Sequence, residues 1–205
     1  MRDSSLGVSV DPVALVIRSI HAMAAGERTE FDNLYHPAAR DRENRVQPPS
    51  SRVPGPDCFW STAQWLRAAF AELRYDIHHA VAAGDLVAVN STMNGRHTSP
   101  WVVYDDSGAV DTVFPPTGKV FAATQSHWFL LEDGLIREHW ANRDDLGMAQ
   151  QLGWVPPTPA YLLRMQIAKR RARRTHLAAS HEALSARDTC VLAASRRRPR
   201  NQLTR

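Results

Sequence analysis

Two histidines late in the chain, His127 in TQSHWFLL and His139 in LIREHWAN, have the residue type and spacing for acid–base chemistry. An imidazole titrates near neutrality, so one ring can take a proton while a second donates a hydrogen bond, and a charged neighbour lowers the proton affinity of the other. The two meet if their segments are strands of one hairpin. A three-residue loop Glu132-Asp133-Gly134 sets His127 opposite His139, on a face shared with Gln125, Phe129 and Ala141. A two-residue turn shifts the register and sets Trp140 opposite His127 instead. The competing reading of His139 is a structural residue satisfied by a backbone group.

Asn142, Arg143 and Asp144 follow at the end of the last strand, where the mouth of a pocket would lie. Arg143 is suited to a carboxylate or an enolate, or is simply solvated. Asp144 is a catalytic candidate whose plainer role is to cap the next helix. His97, in GRHT, ends a middle strand and either lines the pocket or bonds at the sheet edge. Of the many aromatic residues most must be core, and Tyr35, Trp65, Phe129 and Trp140 are assigned to the cavity wall, which suits an apolar, ring-bearing molecule. No metal site is expected: HExxH is missing, and His78 and His79 are adjacent in a strand, so they point to opposite faces. A Gly-rich phosphate loop and a GxSxG elbow are missing as well.

The elements that must position these groups are legible in part. Asp11-Pro12 reads as an N-cap followed by proline at the first helical position, and Val13, Val16, Ile17, Ile20 and Ala24 recur at helical spacing up to Gly26. TEFDNLYHP reads as a second, short helix with Phe31, Leu34 and Tyr35 on one face, ended by Pro37. Residues Ala38 to Pro56 lack periodicity and read as a long functional loop. A third helix is expected over Asp57 to Leu73, on the face of Phe59, Ala63, Leu66, Phe70 and Leu73. From Tyr75 the pattern turns to strands: a hairpin about Gly84-Asp85, a strand over roughly Val120–Leu131, and LIREHWAN. Asp144 or Asp145 then caps DLGMAQQLG, closed by Gly153. Helices followed by antiparallel strands predict an α+β fold with helices on one face of the sheet. The domain is expected over residues 11–154, with a 1–10 extension and a 155–205 basic tail that starts as a helix and continues without order.

Composition bounds the partners. Of the 25 Lys+Arg and 21 Asp+Glu in the chain, 11 and 2 fall in residues 166–205, so residues 1–165 hold 14 basic against 19 acidic residues. The body is acidic, and nucleic acid is expected at most as non-specific, salt-dependent adhesion through the tail. No apolar run approaches the roughly 20 residues a bilayer requires, so no membrane is expected. The first residues lack the basic start and apolar core of a secretory signal, and Cys58 and Cys190 lie too far apart to suggest a disulfide framework, which makes the cytoplasm the expected location.

His36-Pro37, Trp65-Leu66-Arg67-Ala68-Ala69-Phe70, Gly84-Asp85, Gly95-Arg96-His97, Phe114-Pro115-Pro116-Thr117-Gly118, Glu132-Asp133-Gly134, Glu138-His139-Trp140 and Gln151-Leu152-Gly153 occur in that order. On these motifs the chain resembles the SnoaL-like polyketide cyclase or ester cyclase family, within the nuclear-transport-factor-two-like cone fold, over about residues 12–154. The resemblance implies a curved antiparallel sheet with N-terminal helices around a pocket. It further implies ring closure of a polyketide by intramolecular aldol condensation without metal or organic cofactor, and a homodimer. The family's strand histidine matches His127, but its catalytic carboxylate falls on Ala141, which has no proton to give or take.

Three readings follow for function. One is a cyclase or isomerase acting on a small apolar or polyketide-like substrate through His127, with His139, Asp144 or Arg143 in support. Another is a catalytically silent ligand-binding domain, which Ala141 favours. The last is a nucleic-acid-associated protein working through its tail.

Overall fold

The computed structural model describes the backbone of residues 11–196 and the side chains of residues 11–178. The 1–10 extension, the environment of Cys190 and the end of the tail, with Arg197 and Arg198, lie outside the described residues.

Helix α1 spans Pro12–Ala25; Asp11 caps it, its carboxylate accepting from the Val13 amide at 3.0 Å. Its buried face carries Leu15, Val16, Ile20 and Ala22. Helix α2, Arg28–Leu34, stops at Tyr35, which is already extended. Here the structure corrects the long loop expected from Ala38. Strand β1 runs over Tyr35–Asp41 and pairs in parallel with the last strand of the sheet, Tyr35 opposite Ile136 and Asp41 opposite His139. Tyr35, Ala39 and Asp41 are buried, the period of a half-buried strand. Two short 3₁₀ turns, Asn44–Val46 and Pro49–Arg52, lead to α3, Pro56–Ala69. Gly55, at φ 100°, makes that entry possible, since a Cβ there would lie 2.8 Å from the Pro37 carbonyl oxygen.

Helix α3 ends earlier than the spacing of Phe70 and Leu73 predicts, because Phe70 opens strand β2, Phe70–Ala83, opposite His97. Strand β3, Leu86–His97, turns back about Gly84-Asp85. Strands β4, Trp101–Tyr104, and β5, Val110–Phe114, form a separate small hairpin that the sequence reading does not anticipate. Asp105 organises its loop by accepting from the Ser107 and Ala109 amides. Strands β6, Val120–Glu132, and β7, Leu135–Arg143, complete a five-stranded sheet in the order β1-β7-β6-β3-β2, antiparallel except where β1 joins β7. Helix α4, Asp145–Leu152, follows, closed by Gly153 in the left-handed region.

The sheet curves around the N-terminal helices, and the core between them is built from large side chains such as Phe31, Leu34, Tyr35, Phe59, Phe70 and Ile136, each at most 2% exposed. Burial of each contributes on the order of 1.5–3 kcal/mol. Helix α5 spans Pro159–Arg196, so the backbone stays helical through sequence expected to lack order. It packs on the small hairpin: Tyr161 donates to the Pro115 carbonyl at 2.9 Å, Arg173 to the Val110 carbonyl at 2.9 Å, and Lys169 lies 3.8 Å from Asp111. None of the described helices is long and apolar enough to cross a membrane.

Candidate active site

The register of β6 and β7 decides where the two histidines stand. The connection is a two-residue turn, Asp133 at φ 51° and Gly134 at φ 76°, the pattern of a tight hairpin. A bulge between Leu130 and Leu131 then adds one more step. As a result His127 stands opposite Ala141 and His139 opposite Phe129, so neither the His127–His139 nor the His127–Trp140 pairing occurs. The two shifts together preserve the face, and the rings are diagonal neighbours on the concave side. His127 Nδ1 lies 3.0 Å from His139 Nε2.

Their surroundings extend this contact into a chain of four groups. His139 Nδ1 is 3.1 Å from Asp41 Oδ1 on β1, and His127 Nε2 is 2.7 Å from Gln125 Oε1 on β6. Asp41, His127 and Gln125 are all buried. Burial alone would raise the Asp41 carboxyl, but the charge and N–H of His139, the Glu43 amide and the Arg143 guanidinium outweigh it and hold the group below its ordinary range. Burial pushes the His127 imidazole well below its usual value, with the positive charges of His139 and Arg143 acting in the same direction against the opposing pull of Asp41.

Donor and acceptor matching allows this chain two forms that differ by one proton. In the unloaded form Asp41 accepts His139 Nδ1–H, His139 Nε2 accepts His127 Nδ1–H, and His127 Nε2 keeps a lone pair, faced by the amide nitrogen of Gln125. In the loaded form His127 Nε2–H donates to Gln125 Oε1 and His127 Nδ1 accepts from His139 Nε2–H. Both nitrogens of His139 then carry protons, and the charge sits beside Asp41. The imidazoles aim at each other, not at a common point, and among the described residues no cluster of His, Cys, Asp or Glu could hold a metal ion.

The chain forms part of the wall of a cavity of about 340 Å³ between the concave sheet face and helices α1 and α3. Tyr35, Trp65, Phe129, His127, His139 and Arg143 all reach it. Arg143 Nη2 donates to Glu43 Oε2 at 3.2 Å and its Nε lies 3.7 Å from Asp145, so its charge is already met. Other sequence candidates lie elsewhere. Trp140 belongs to the outer face, stacked on Trp128 at 6.3 Å and covered by the Arg42 guanidinium at 4.5 Å. Asn142, one residue out of phase with Ala141, is exposed opposite Ser126. Asp144 caps α4 through the Gly147 amide at 2.8 Å and is not in the cavity wall.

His97 is fully buried outside the wall, with its ring 5.6 Å from that of Phe70 and 5.2 Å from that of Trp154. Burial pushes its imidazole down to about 4. In the unfolded chain a histidine titrates near 6.5, so the unfolded state takes up a proton that the folded state resists. Stability is then full above about 6.5 and is lost as pH falls toward about 4, by on the order of 3 kcal/mol. Thermal unfolding followed from pH 7 to pH 4 should show a flatter pH dependence for His97→Asn, with the share of His127 remaining. An unchanged slope would contradict this assignment.

Asp41 is the member of this chain that the sequence does not announce, because residues from Ala38 read as loop although Tyr35, Ala39 and Asp41 alternate into the core. Tyr75, Met93 and Gln125 also line the cavity.

Comparison with known proteins agrees with this architecture. The family model for SnoaL-like polyketide cyclase matches residues 15–152. The aklanonic acid methyl ester cyclase DnrD of Streptomyces peucetius is 29% identical over 154 residues, 72% of this chain and 94% of the relative. The nogalonic acid methyl ester cyclase of Streptomyces nogalater is 28% identical over 135 residues, 65% of this chain and 91% of the relative. Among solved structures, IdmH of Streptomyces antibioticus, described as a putative polyketide cyclase, aligns with a TM-score of 0.52 at 25% identity, covering 70% of this chain and 99% of that one.

Proposed function

The chain belongs to the SnoaL-like polyketide cyclase family, and from that premise we propose that it is a cofactor-independent cyclase closing a ring by intramolecular aldol condensation in this cavity. The observation that carries the reading is His127, buried in the wall of an aromatic cavity and backed by His139 and Asp41. A cavity of about 340 Å³ falls within the roughly 300–1,000 Å³ of small-molecule sites, and its wall suits an apolar polyketide-like molecule. Arg143 is the cavity's only arginine or lysine among the described residues and is already engaged by Glu43, which favours an ester over a free carboxylate. The relatives named for methyl esters of aklanonic and nogalonic acid are in keeping with that preference.

The steps balance within the substrate and the chain of groups. His127 Nε2 takes a proton from a carbon flanked by carbonyls, and the His127 Nδ1 proton passes to His139 Nε2, whose new charge Asp41 stabilises. The enolate carbon bonds to a second carbonyl carbon, whose π electrons move to its oxygen. That alkoxide takes the proton back from His127 Nε2 while the His139 proton returns to His127 Nδ1. Product and substrate are isomers. His127 is the catalytic base and then the acid, whereas His139 and Asp41 position it and hold the charge. This assigns to Asp41, reached through His139, the task that the family's carboxylate at the place of Ala141 would otherwise perform.

Ala141 itself favours a second reading, a binding domain without turnover. Aklanonic acid methyl ester offered to the protein and to Ala141→Asp separates the two. The cyclase reading expects product from the wild type and at most a few-fold change in the variant. An inert wild type with activity gained in Ala141→Asp would sink it. A homodimer is part of the proposal, supported by the outer-face patch of Trp128, Trp140 and the 38% exposed Leu130. A single-chain mass in solution at micromolar concentration would remove the dimer.

A further inference from the structure

Two hydrogen-bond donors in the cavity wall end on a poor acceptor. The hydroxyl of Tyr75, on β2, lies 3.3 Å from the Met93 thioether sulfur, and Gln125 Nε2, on β6, lies 3.6 Å from the same atom. Strand β3 sits between them and carries Met93, opposite Tyr75 on one side and next to the β6 register on the other, so all three side chains share the concave face. None is more than 7% exposed, and all three line the cavity. A thioether accepts hydrogen bonds weakly, and the flexible methionine side chain can move aside. A buried phenol and amide held against sulfur are therefore underused donors, aimed at a point that an oxygen would fill better. Burial pushes the Tyr75 phenol well above its usual range, so it remains a donor.

The position of this point relative to the base is specific. Gln125 Oε1 is 2.7 Å from His127 Nε2, and the amide nitrogen is the other end of the same planar group. In an enolisable carbonyl compound the acidic carbon and the oxygen are roughly 2.4 Å apart, about the width of that amide. A carbon presented to His127 Nε2 thus brings its carbonyl oxygen toward the donors that now hold Met93.

We propose that Tyr75 Oη and Gln125 Nε2 form the oxyanion subsite of the cavity, with Met93 Sδ as the group they hold when the histidine chain is loaded and no oxyanion is bound. The inference rests on the cyclase reading of the cavity and assigns its ligand chemistry: an anionic oxygen conjugated to an apolar framework, as in an enolate or a phenolate. The loaded form of the histidine chain arms the subsite. Once His127 Nε2 carries the proton, Gln125 turns its oxygen to it, and the amide N–H is left facing the oxyanion formed in the same step.

Substituted 2-naphthols and nitrophenols test the subsite without turnover, because their phenolate absorbance reports ionisation of the bound molecule. The wild type should bind the phenolate form preferentially, so that bound probe ionises at lower pH than free probe. Tyr75→Phe and Gln125→Leu should each weaken phenolate binding by about 10–100-fold while changing binding of the matching aryl methyl ether little, as expected for losing one donor to a charged oxygen. Met93→Leu removes the competing acceptor and should leave phenolate affinity equal to the wild type or higher. Equal loss for phenolate and ether, or no loss in either donor variant, would overturn the subsite. Phenolate selectivity in a protein that shows no α-proton exchange would leave the subsite standing and reject the cyclase reading, and the converse pair of results would do the reverse.

Discussion

Replacing His127 with alanine should slow ring closure by about 10²–10⁴-fold, the range that a positioned general acid–base contributes. His127 lies in the cavity wall, and burial keeps its imidazole largely neutral and able to accept a proton near neutral pH. The substitution removes both base and acid, whereas Tyr35, Trp65 and Phe129 still offer the apolar wall. The loss should therefore appear in kcat with little change in KM, measured by product formation under saturating and limiting substrate. A loss confined to KM would assign His127 to binding instead. Asp144→Ala, which removes only the cap of α4, should cost about 0.5–2 kcal/mol of stability and leave turnover near the wild-type value.

Asp41→Asn is the second large effect, and it separates charge from shape. The amide keeps an oxygen that can accept His139 Nδ1–H, so the tautomer is preserved, but the negative charge that stabilises the loaded chain is gone. A charge-assisted hydrogen bond of roughly 2–3 kcal/mol predicts a fall in kcat of about 10²-fold. The pH profile carries the sign. Asp41 favours the protonated state of His127, so its removal lowers the proton affinity of that imidazole. Activity is lost on the acid side when the base becomes protonated, and the acid limb of the variant should therefore move to lower pH, over a reduced plateau. A variant that merely loosened the fold would lose activity without that displacement.

Much of the architecture was legible because the signals are local. Asp11-Pro12 caps a helix as its residue types require, the Gly84-Asp85 turn joins two strands of alternating pattern, and Glu132-Asp133-Gly134 marks a second hairpin, although only its last two residues form the turn. What escaped is set by tertiary pairing. Strand β1 contains Pro37 and two charged residues and is extended because β7 offers it an edge, a partner that lies about a hundred residues away. Phe70 continues the helical spacing of α3 but is drawn into β2 by His97 across the sheet. For the site, the common face of His127 and His139 is reached by a different route from the expected three-residue loop: a two-residue turn flips the face and a bulge opposite Leu130-Leu131, which no residue type announces, flips it back. Trp140, assigned to the wall as an aromatic, and Asn142, assigned to the mouth as the end of the strand, are both put by alternation on the face opposite His139 and Ala141. Asp41 went unseen for the reason β1 did, and with it the charged end of the relay.

The most direct test is exchange of an acidic carbon-bound proton with solvent deuterium, followed by NMR on an aryl β-keto ester that can enolise but has no second carbonyl to close a ring. Protein-dependent exchange is expected, falling about 10²-fold or more in His127→Ala. Exchange that proceeds undiminished without the His127 imidazole would contradict it.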